Sequence, residues 1–150
     1  MSEDLQQYIH RQIPITAAMG VSVDHADPTR VLLSAPLAAN INHRETVFGG
    51  SAAAVATLAA WTLVLVRMRD ANVQGRLVIA ANQMTYDRPI TGDFQALALA
   101  EDLQHWDRFL AGFQRKGKGR VQVASRLLLD HETVGRFEGT FVALQPLASD

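Results

Sequence analysis

The chain has 150 residues, of which 48% are hydrophobic and 19% charged, a composition typical of one globular domain spanning residues 1–150. The formal net charge is −1, which gives no electrostatic reason to expect a nucleic-acid or membrane partner. The chain has no cysteine, which excludes disulfide bonds, a thiolate nucleophile and cysteine-based zinc sites. The acidic N-terminus lacks the apolar core of a signal peptide, so we expect a cytoplasmic protein.

The first half of the chain predicts a helix, a hairpin and a second helix. The first helix is predicted to end at Ile13, because Pro14 cannot continue it. Segments 21–25 and 31–35 have strand patterns on either side of a turn, which predicts a hairpin. Segment 52–67 lacks glycine and proline and predicts the main part of a helix of about 19 residues.

This second helix is apolar on nearly all sides, which indicates burial. Its length approaches the roughly 20 residues of a membrane span, but Thr57 and Thr62 interrupt the apolar run. Its many alanines indicate that another element packs close to its backbone. A β-sheet wrapped around the helix would provide that packing.

The second half of the chain predicts four strands and one short helix. The predicted strands are 77–86, 94–101, 120–129 and 134–144. Between the second and third of them, four apolar residues share one helical face: Trp106, Phe109, Leu110 and Phe113. This order of elements predicts an α+β fold with one antiparallel sheet and one central helix.

A polar loop, residues 42–51, precedes the central helix and is the most distinctive stretch chemically. A helix N-terminus has unpaired backbone N–H groups and a partial positive charge. Gly49 and Gly50 would let a ligand oxygen approach these donors, as in an oxyanion hole. The alternative is a tight turn at the glycines followed by a helix cap at Ser51.

Several motifs along the chain resemble one known family. They are Ile13-Pro14, Ala18-Met19-Gly20, Ala35-Pro36-Leu37, Asn40-Ile41-Asn42-His43, Thr46-Val47-Phe48-Gly49-Gly50-Ser51, Leu58-Ala59-Ala60-Trp61 and Tyr86-Asp87-Arg88-Pro89. The chain resembles the thioesterase family typified by the YiiD C-terminal domain, which has the hotdog fold. The resemblance implies an acyl-CoA or acyl-carrier protein substrate and a homodimer with active sites between subunits. Pairing of dimers into tetramers stays open. No metal and no cofactor are expected, apart from CoA as part of the substrate.

The resemblance also indicates catalytic positions. Acyl-CoA thioesterases of the wider hotdog group often show Asn, five residues, His-Gly-Gly, six residues and Asp. Asn42, Gly49 and Gly50 match this pattern, whereas Phe48 replaces the histidine and Thr57 the acid. The match implies that a glycine N–H polarises the thioester carbonyl and that Asn42 positions the attacking water or the thioester. Thr57 does not ionise near neutral pH, so the usual base is missing.

His43 is the candidate replacement for that base, because imidazole suits general base chemistry near neutral pH. A single hydrogen bond within the loop is the alternative role for His43, and Glu45 is a second candidate base or simply a solvated charge. Ser51 lacks the Gly-x-Ser-x-Gly context of a hydrolase nucleophile. The predicted catalytic residues are therefore Asn42, His43, Gly49 and Gly50.

A second set of residues is predicted to bind the substrate: Thr46, Phe48, Ser51, Thr57, Gln83, Arg115 and Lys116. Side chains alternate along a strand, and Gln83 is expected to face the helix together with Ile79 and Ala81. Arg115 and Lys116 belong to a basic cluster suited to CoA phosphates or an acidic carrier protein, and the alternative is a solvated loop without a ligand.

The sequence is also compatible with two other functions. The missing carboxylate at Thr57 is compatible with a non-catalytic protein that binds acyl-CoA or an acyl carrier. A ketoacyl synthase-like condensing enzyme is also compatible with the resemblance, although condensation through an acyl-cysteine is excluded by the composition. We expect a thioesterase that hydrolyses its substrate by direct water attack.

Overall fold

The computed structural model describes residues 2–147, so the first residue and the last three of the expected 1–150 domain lie outside it. The elements are α1 (Ser2–Gln12), α2 (Ile15–Ala18), β1 (Ser22–Asp27), β2 (Arg30–Ala35), a 3-10 turn (Ala38–Asn40), α3 (Gly49–Asp70), β3 (Arg76–Tyr86), β4 (Phe94–Leu99), α4 (Leu103–Lys116), β5 (Lys118–Leu129) and β6 (Glu132–Leu144). The strands form one six-stranded antiparallel sheet in the order β1-β2-β4-β5-β6-β3. The predicted α+β architecture is confirmed.

The central helix α3 is the core element of the fold. It has 22 residues and is about 33 Å long at 1.5 Å rise per residue. Its buried side chains are largely small: Ala52, Val55, Ala56, Leu58, Ala59, Ala60, Thr62, Leu63, Val64 and Met68. These short side chains let the sheet approach the helix closely, and the Ser125 hydroxyl of β5 donates a 2.8 Å hydrogen bond to the Ala56 carbonyl. Truncating Leu63, which is fully buried, would cost about 2–5 kcal/mol.

By length and composition α3 is the one helix within residues 2–147 that would be able to cross a membrane. Half of its most apolar stretch is buried inside the protein. Packing in the core accounts for the apolar residues of that buried half.

Strand β3 forms one edge of the sheet and pairs with β6 along its length. It carries no charged residue between Arg76 and Tyr86. Val78 and Ile79 are 46% and 38% exposed. A long, uncharged and apolar edge strand is unusual in an isolated protein, because its unpaired backbone groups invite association with another strand.

A β-bulge in β3 exchanges the two faces of the sheet on which the side chains after it lie. Ile79 pairs with the buried Phe141, whereas Gln83 pairs with the exposed Glu138, and the register shifts between Ile79 and Ala81. The extra residue changes the parity of the side-chain alternation. Gln83 therefore lies on the outer face of the sheet and Asn82 on the face towards the helix. The expectation that Gln83 faces α3 is wrong.

Helix α4 covers the part of β5 that β4 does not reach. Trp106, Phe109 and Phe113 are buried, which confirms the predicted apolar stripe as core. The backbone N–H of Gln122 in β5 donates a 3.2 Å hydrogen bond to Nε2 of His105. The helix ends at Gly117, whose φ of 73° is the left-handed conformation that favours glycine.

Candidate active site at the start of the central helix

The loop before α3 is a compact turn organised by Asn42. The backbone N–H of Asn42 donates to the Thr46 carbonyl at 2.8 Å, and an isolated bridge joins Ile41 to Val47. The Asn42 side-chain oxygen accepts from the N–H groups of Arg44 (2.8 Å) and Thr46 (3.2 Å). Its amide nitrogen donates to the Thr46 hydroxyl at 3.0 Å. Asn42 and Thr46 thus hold the loop in shape.

The structure begins α3 at Gly49, with Phe48 in the capping position and no side-chain cap. The first helical hydrogen bond in this turn runs from Ala52 N–H to the Phe48 carbonyl at 3.0 Å. Within residues 2–147, the N–H groups of Gly49, Gly50 and Ser51 have no hydrogen-bond partner. These free donors and the helix dipole suit a developing negative charge on oxygen. Ser51 lies inside the first turn, so the alternative that it caps the helix is wrong.

Two aromatic rings flank these donors. A Cβ on Gly50 would clash with the ring of Phe48, so the absence of a side chain lets that ring lie against the helix. Tyr86, the last residue of β3, donates its hydroxyl hydrogen to the Gly49 carbonyl at 2.9 Å. Phe48 and Tyr86 are 58% and 53% exposed and form an apolar rim.

The candidate bases differ in their surroundings. His43 and Glu45 are exposed in the loop, and neither side chain makes a hydrogen bond or ion pair within the described part of the chain. Thr57 donates its hydroxyl hydrogen to the Ala53 carbonyl at 2.7 Å. Asp87 follows Tyr86, and its hydrogen bond with Arg136 holds the pKa of that carboxyl below its usual range. His43 and Glu45, like Arg44 between them, are thus exposed ionisable groups of the loop before α3.

Asn40 is a structural residue of this site that the sequence reasoning missed. Its side chain is 3% exposed and donates to the carbonyls of Met19 (2.9 Å) and Pro36 (2.8 Å). Its own carbonyl accepts from the N–H of Phe48 at 2.7 Å. Asn40 thus joins the hairpin region to the start of α3. The only signal for it in the sequence was its place in the Asn40–His43 motif.

The predicted substrate-binding residues do not form one cluster in a single chain. Thr46, Phe48 and Ser51 surround the start of α3, and Thr57 lies two turns further along. Arg115 and Lys116 lie in the last turn of α4, next to Lys118 at the opposite end of the sheet. Lys118 aligns with Arg76 through Leu144, ten strand residues from Tyr86, a separation of roughly 30 Å.

A metal centre receives no support from the side-chain geometry. Across residues 2–147, no group of three or more His, Cys, Asp and Glu side chains is placed to hold a metal ion.

Comparison with known proteins gives a consistent family assignment. Residues 2–145 match the family model described as "Putative thioesterase (yiiD_Cterm)". A Chlorobaculum tepidum protein of unknown function is 28% identical, with a TM-score of 0.91 over 97% of this chain and 94% of that one. A Shewanella oneidensis structure described as a putative thioesterase is also 28% identical, with a TM-score of 0.86 over 95% and 96% of the two chains.

A Pseudomonas aeruginosa structure described as a probable thioesterase shares the fold. It is 19% identical, with a TM-score of 0.81 over 97% of both chains. The match to the family model covers almost the whole chain. The chain belongs to the hotdog-fold thioesterase family typified by the YiiD C-terminal domain.

Proposed function

We propose that the chain is a thioesterase that hydrolyses an acyl thioester, carried by coenzyme A or an acyl-carrier protein, in the cytoplasm. The observation that carries the proposal is the set of unpaired N–H groups at Gly49, Gly50 and Ser51. Bound there, a thioester carbonyl would gain hydrogen bonds that strengthen as its oxygen becomes negative. Family membership supports the same chemistry.

The proposed reaction is direct attack by water. His43 accepts a proton as the water oxygen bonds to the carbonyl carbon, and the backbone donors stabilise the resulting oxyanion. The C–S bond then breaks, and the proton passes to the departing thiolate, which leaves a carboxylic acid and a free thiol. Asn42 holds the loop that positions His43. Within residues 2–147 the Ser51 hydroxyl makes no hydrogen bond to a base, so no acyl-enzyme is invoked.

We propose a homodimer joined along the edge strand β3. Its free edge is apolar, and the neighbouring stripe of α3, which includes Thr57, Trp61 and Leu65, is only half-buried. Pairing of two β3 strands would satisfy the backbone groups of both edges. The half-buried stripe of α3 would then line the path of the acyl chain.

A non-catalytic acyl-CoA binder is the second candidate. The observation that favours it is the Thr57 hydroxyl, which is engaged by the Ala53 carbonyl and supplies no base. This function would use the same N–H donors to hold a thioester without cleaving it.

Product analysis by mass spectrometry separates these functions. The purified protein would be incubated with acyl-CoAs and an acyl-carrier protein thioester. Free acid with an equal amount of thiol supports the hydrolase. An unchanged thioester that nonetheless raises the melting temperature supports the binder, and a lengthened thioester would show a condensing enzyme.

A further inference from the structure

A groove between α4 and the start of β5 is lined by five basic side chains. We call it the basic groove, and its cations are Arg108, Arg115, Lys116, Lys118 and Arg120. Its volume is about 270 Å³. The cations come from both walls, because α4 contributes three of them and β5 the other two. Converging cations favour a compact ligand with several negative charges.

Among the residues that the structure describes, 2–147, no carboxylate lines the basic groove. Within the described chain, none of its five cationic side chains makes a hydrogen bond or ion pair. Arg88 and Arg136, by contrast, are paired with Glu132 and Asp87. The basic groove therefore concentrates uncompensated positive charge in a chain whose net charge is −1.

The chemistry of the basic groove suits phosphate groups. Guanidinium groups bind phosphate oxygens with two parallel hydrogen bonds, and lysines add mobile point charges. A Cβ on Gly112 would meet no atom within 4 Å, so the helix wall is open at that position. The nearby C-terminus of α4 repels anions through its dipole, so the side chains alone must supply the attraction.

We propose that the basic groove binds the clustered phosphates of coenzyme A, namely its 3′-phosphate and diphosphate. The identity of this ligand rests on the thioesterase function proposed above. Five cations in one groove exceed what a single inorganic phosphate needs. They match a carrier with phosphates at two positions.

The basic groove serves the active site of the other subunit in the proposed dimer. In its own chain the basic groove lies roughly 30 Å, measured along the strands, from Tyr86, whose hydroxyl contacts Gly49. If two β3 strands pair antiparallel about their middles, Lys118 of one copy lies three strand spacings, about 15 Å, from Tyr86 of the other. Tyr86 contacts Gly49, so the shorter path joins sites on different chains.

Calorimetric titration with coenzyme A tests the ligand. Replacing Arg115 and Lys118 together by glutamine removes two exposed charges, and we expect the Kd to rise by about tenfold or more. Arg30→Gln removes one exposed charge at the far side of the sheet and should leave the Kd unchanged. Dephospho-coenzyme A should bind the wild type more weakly than coenzyme A, and this difference should shrink in the double variant.

Three results would overturn the proposal. The first is an unchanged Kd in the double variant, and the second is equal affinity of the wild type for inorganic pyrophosphate and coenzyme A. The third is a double variant whose KM rises for an acyl-carrier protein thioester but not for an acyl-CoA. Since binding needs no turnover, groove-dependent binding by an inactive wild type would refute the hydrolase and leave the groove assignment standing.

Mixed dimers test the action across subunits. A His43→Gln chain and the Arg115→Gln/Lys118→Gln chain carry different tags, and the heterodimer is purified by both. If the groove of one subunit serves the site of the other, the intact His43 of the second chain works with the intact groove of the first, and one complete site remains. At low acyl-CoA concentration the heterodimer should then reach about half of the wild-type rate. A heterodimer no more active than the average of its two parent homodimers would contradict this arrangement.

Discussion

The hydroxyl of Tyr86 donates a 2.9 Å hydrogen bond to the carbonyl oxygen of Gly49. This bond joins the last residue of the edge strand β3 to the first residue of the central helix α3. Because the unpaired N–H groups begin at Gly49, the same bond fixes their position relative to the free edge of the sheet. The proposed site and the proposed dimer surface are thus mechanically connected.

Tyr86→Phe removes this hydrogen bond and keeps the ring. We expect a stability loss of about 1 kcal/mol or less, because the residue is half exposed. The melting temperature should fall by roughly 2–4 °C and kcat by several-fold. Thermal denaturation and steady-state kinetics measure both effects. Tyr8→Phe, at a hydroxyl with no hydrogen bond in the described structure, should match the wild type.

Two variants of Asn42 separate its acceptor and donor roles. Asn42→Asp keeps the oxygen that accepts from Arg44 and Thr46 and loses the donor to the Thr46 hydroxyl. If the side chain mainly holds the loop, the aspartate variant should keep most of kcat, while Asn42→Ala should lose about tenfold or more. Equal and severe loss in both variants would instead place the amide N–H on the substrate or water.

His43 is tested by His43→Gln, which keeps a polar side chain of similar reach. General base catalysis contributes typically about 10²–10⁴-fold, so we expect kcat to fall by about 100-fold or more. The pH dependence of kcat should also change, since the proton acceptor is gone. The exposed side chain supports no packing, and the melting temperature should stay constant. A variant as fast as the wild type would remove His43 from the mechanism.

The edge strand gives a prediction about oligomeric state. Ile79→Lys places a charge on the apolar edge of β3 and should convert the dimer to a monomer, as measured by analytical ultracentrifugation. Ile15→Lys is the matched control, because Ile15 is 62% exposed on α2, far along the chain from β3. A monomeric wild type, or a dimeric Ile79→Lys variant, would contradict the proposed interface.

Asp27 predicts an acid-dependent loss of stability. Its pKa is held well below the usual 3.8, first by the Thr29 hydroxyl and then by His25 and backbone N–H groups. A lowered pKa means that folding favours the ionised form, so this stabilisation is complete above about pH 4 and declines as the pH falls below it. Asp27→Asn should therefore be less stable than the wild type at pH 7, and the difference in urea denaturation should shrink below pH 4.

The main elements follow from residue patterns that have one physical solution. An alanine-rich apolar segment such as 52–67 has to be a buried helix, and the stripe from Trp106 to Phe113 has to face the core. The face of the sheet on which Gln83 lies could not be predicted from the sequence. A single bulged residue between Ile79 and Ala81 reverses the alternation of side chains, and nothing in the sequence marks it.

The residue at which α3 begins could not be predicted from the sequence either. Glycine has low helix propensity, and that favoured a helix beginning near Ser51. In the structure the carbonyl of Asn40 and the hydroxyl of Tyr86 secure the chain on either side of Gly49, so the helix starts there. Both contacts are tertiary and depend on the assembled sheet.

The most direct test of the central claim is the rate of thiol release from a panel of short, long and aromatic acyl-CoAs, measured with the wild type and with His43→Gln. Hydrolysis with His43 as the base should give release above the buffer rate for at least one substrate and a fall of about 100-fold or more in the variant. Thiol release no faster than buffer across the panel, with one acyl-CoA still raising the melting temperature, would contradict it and favour the binder.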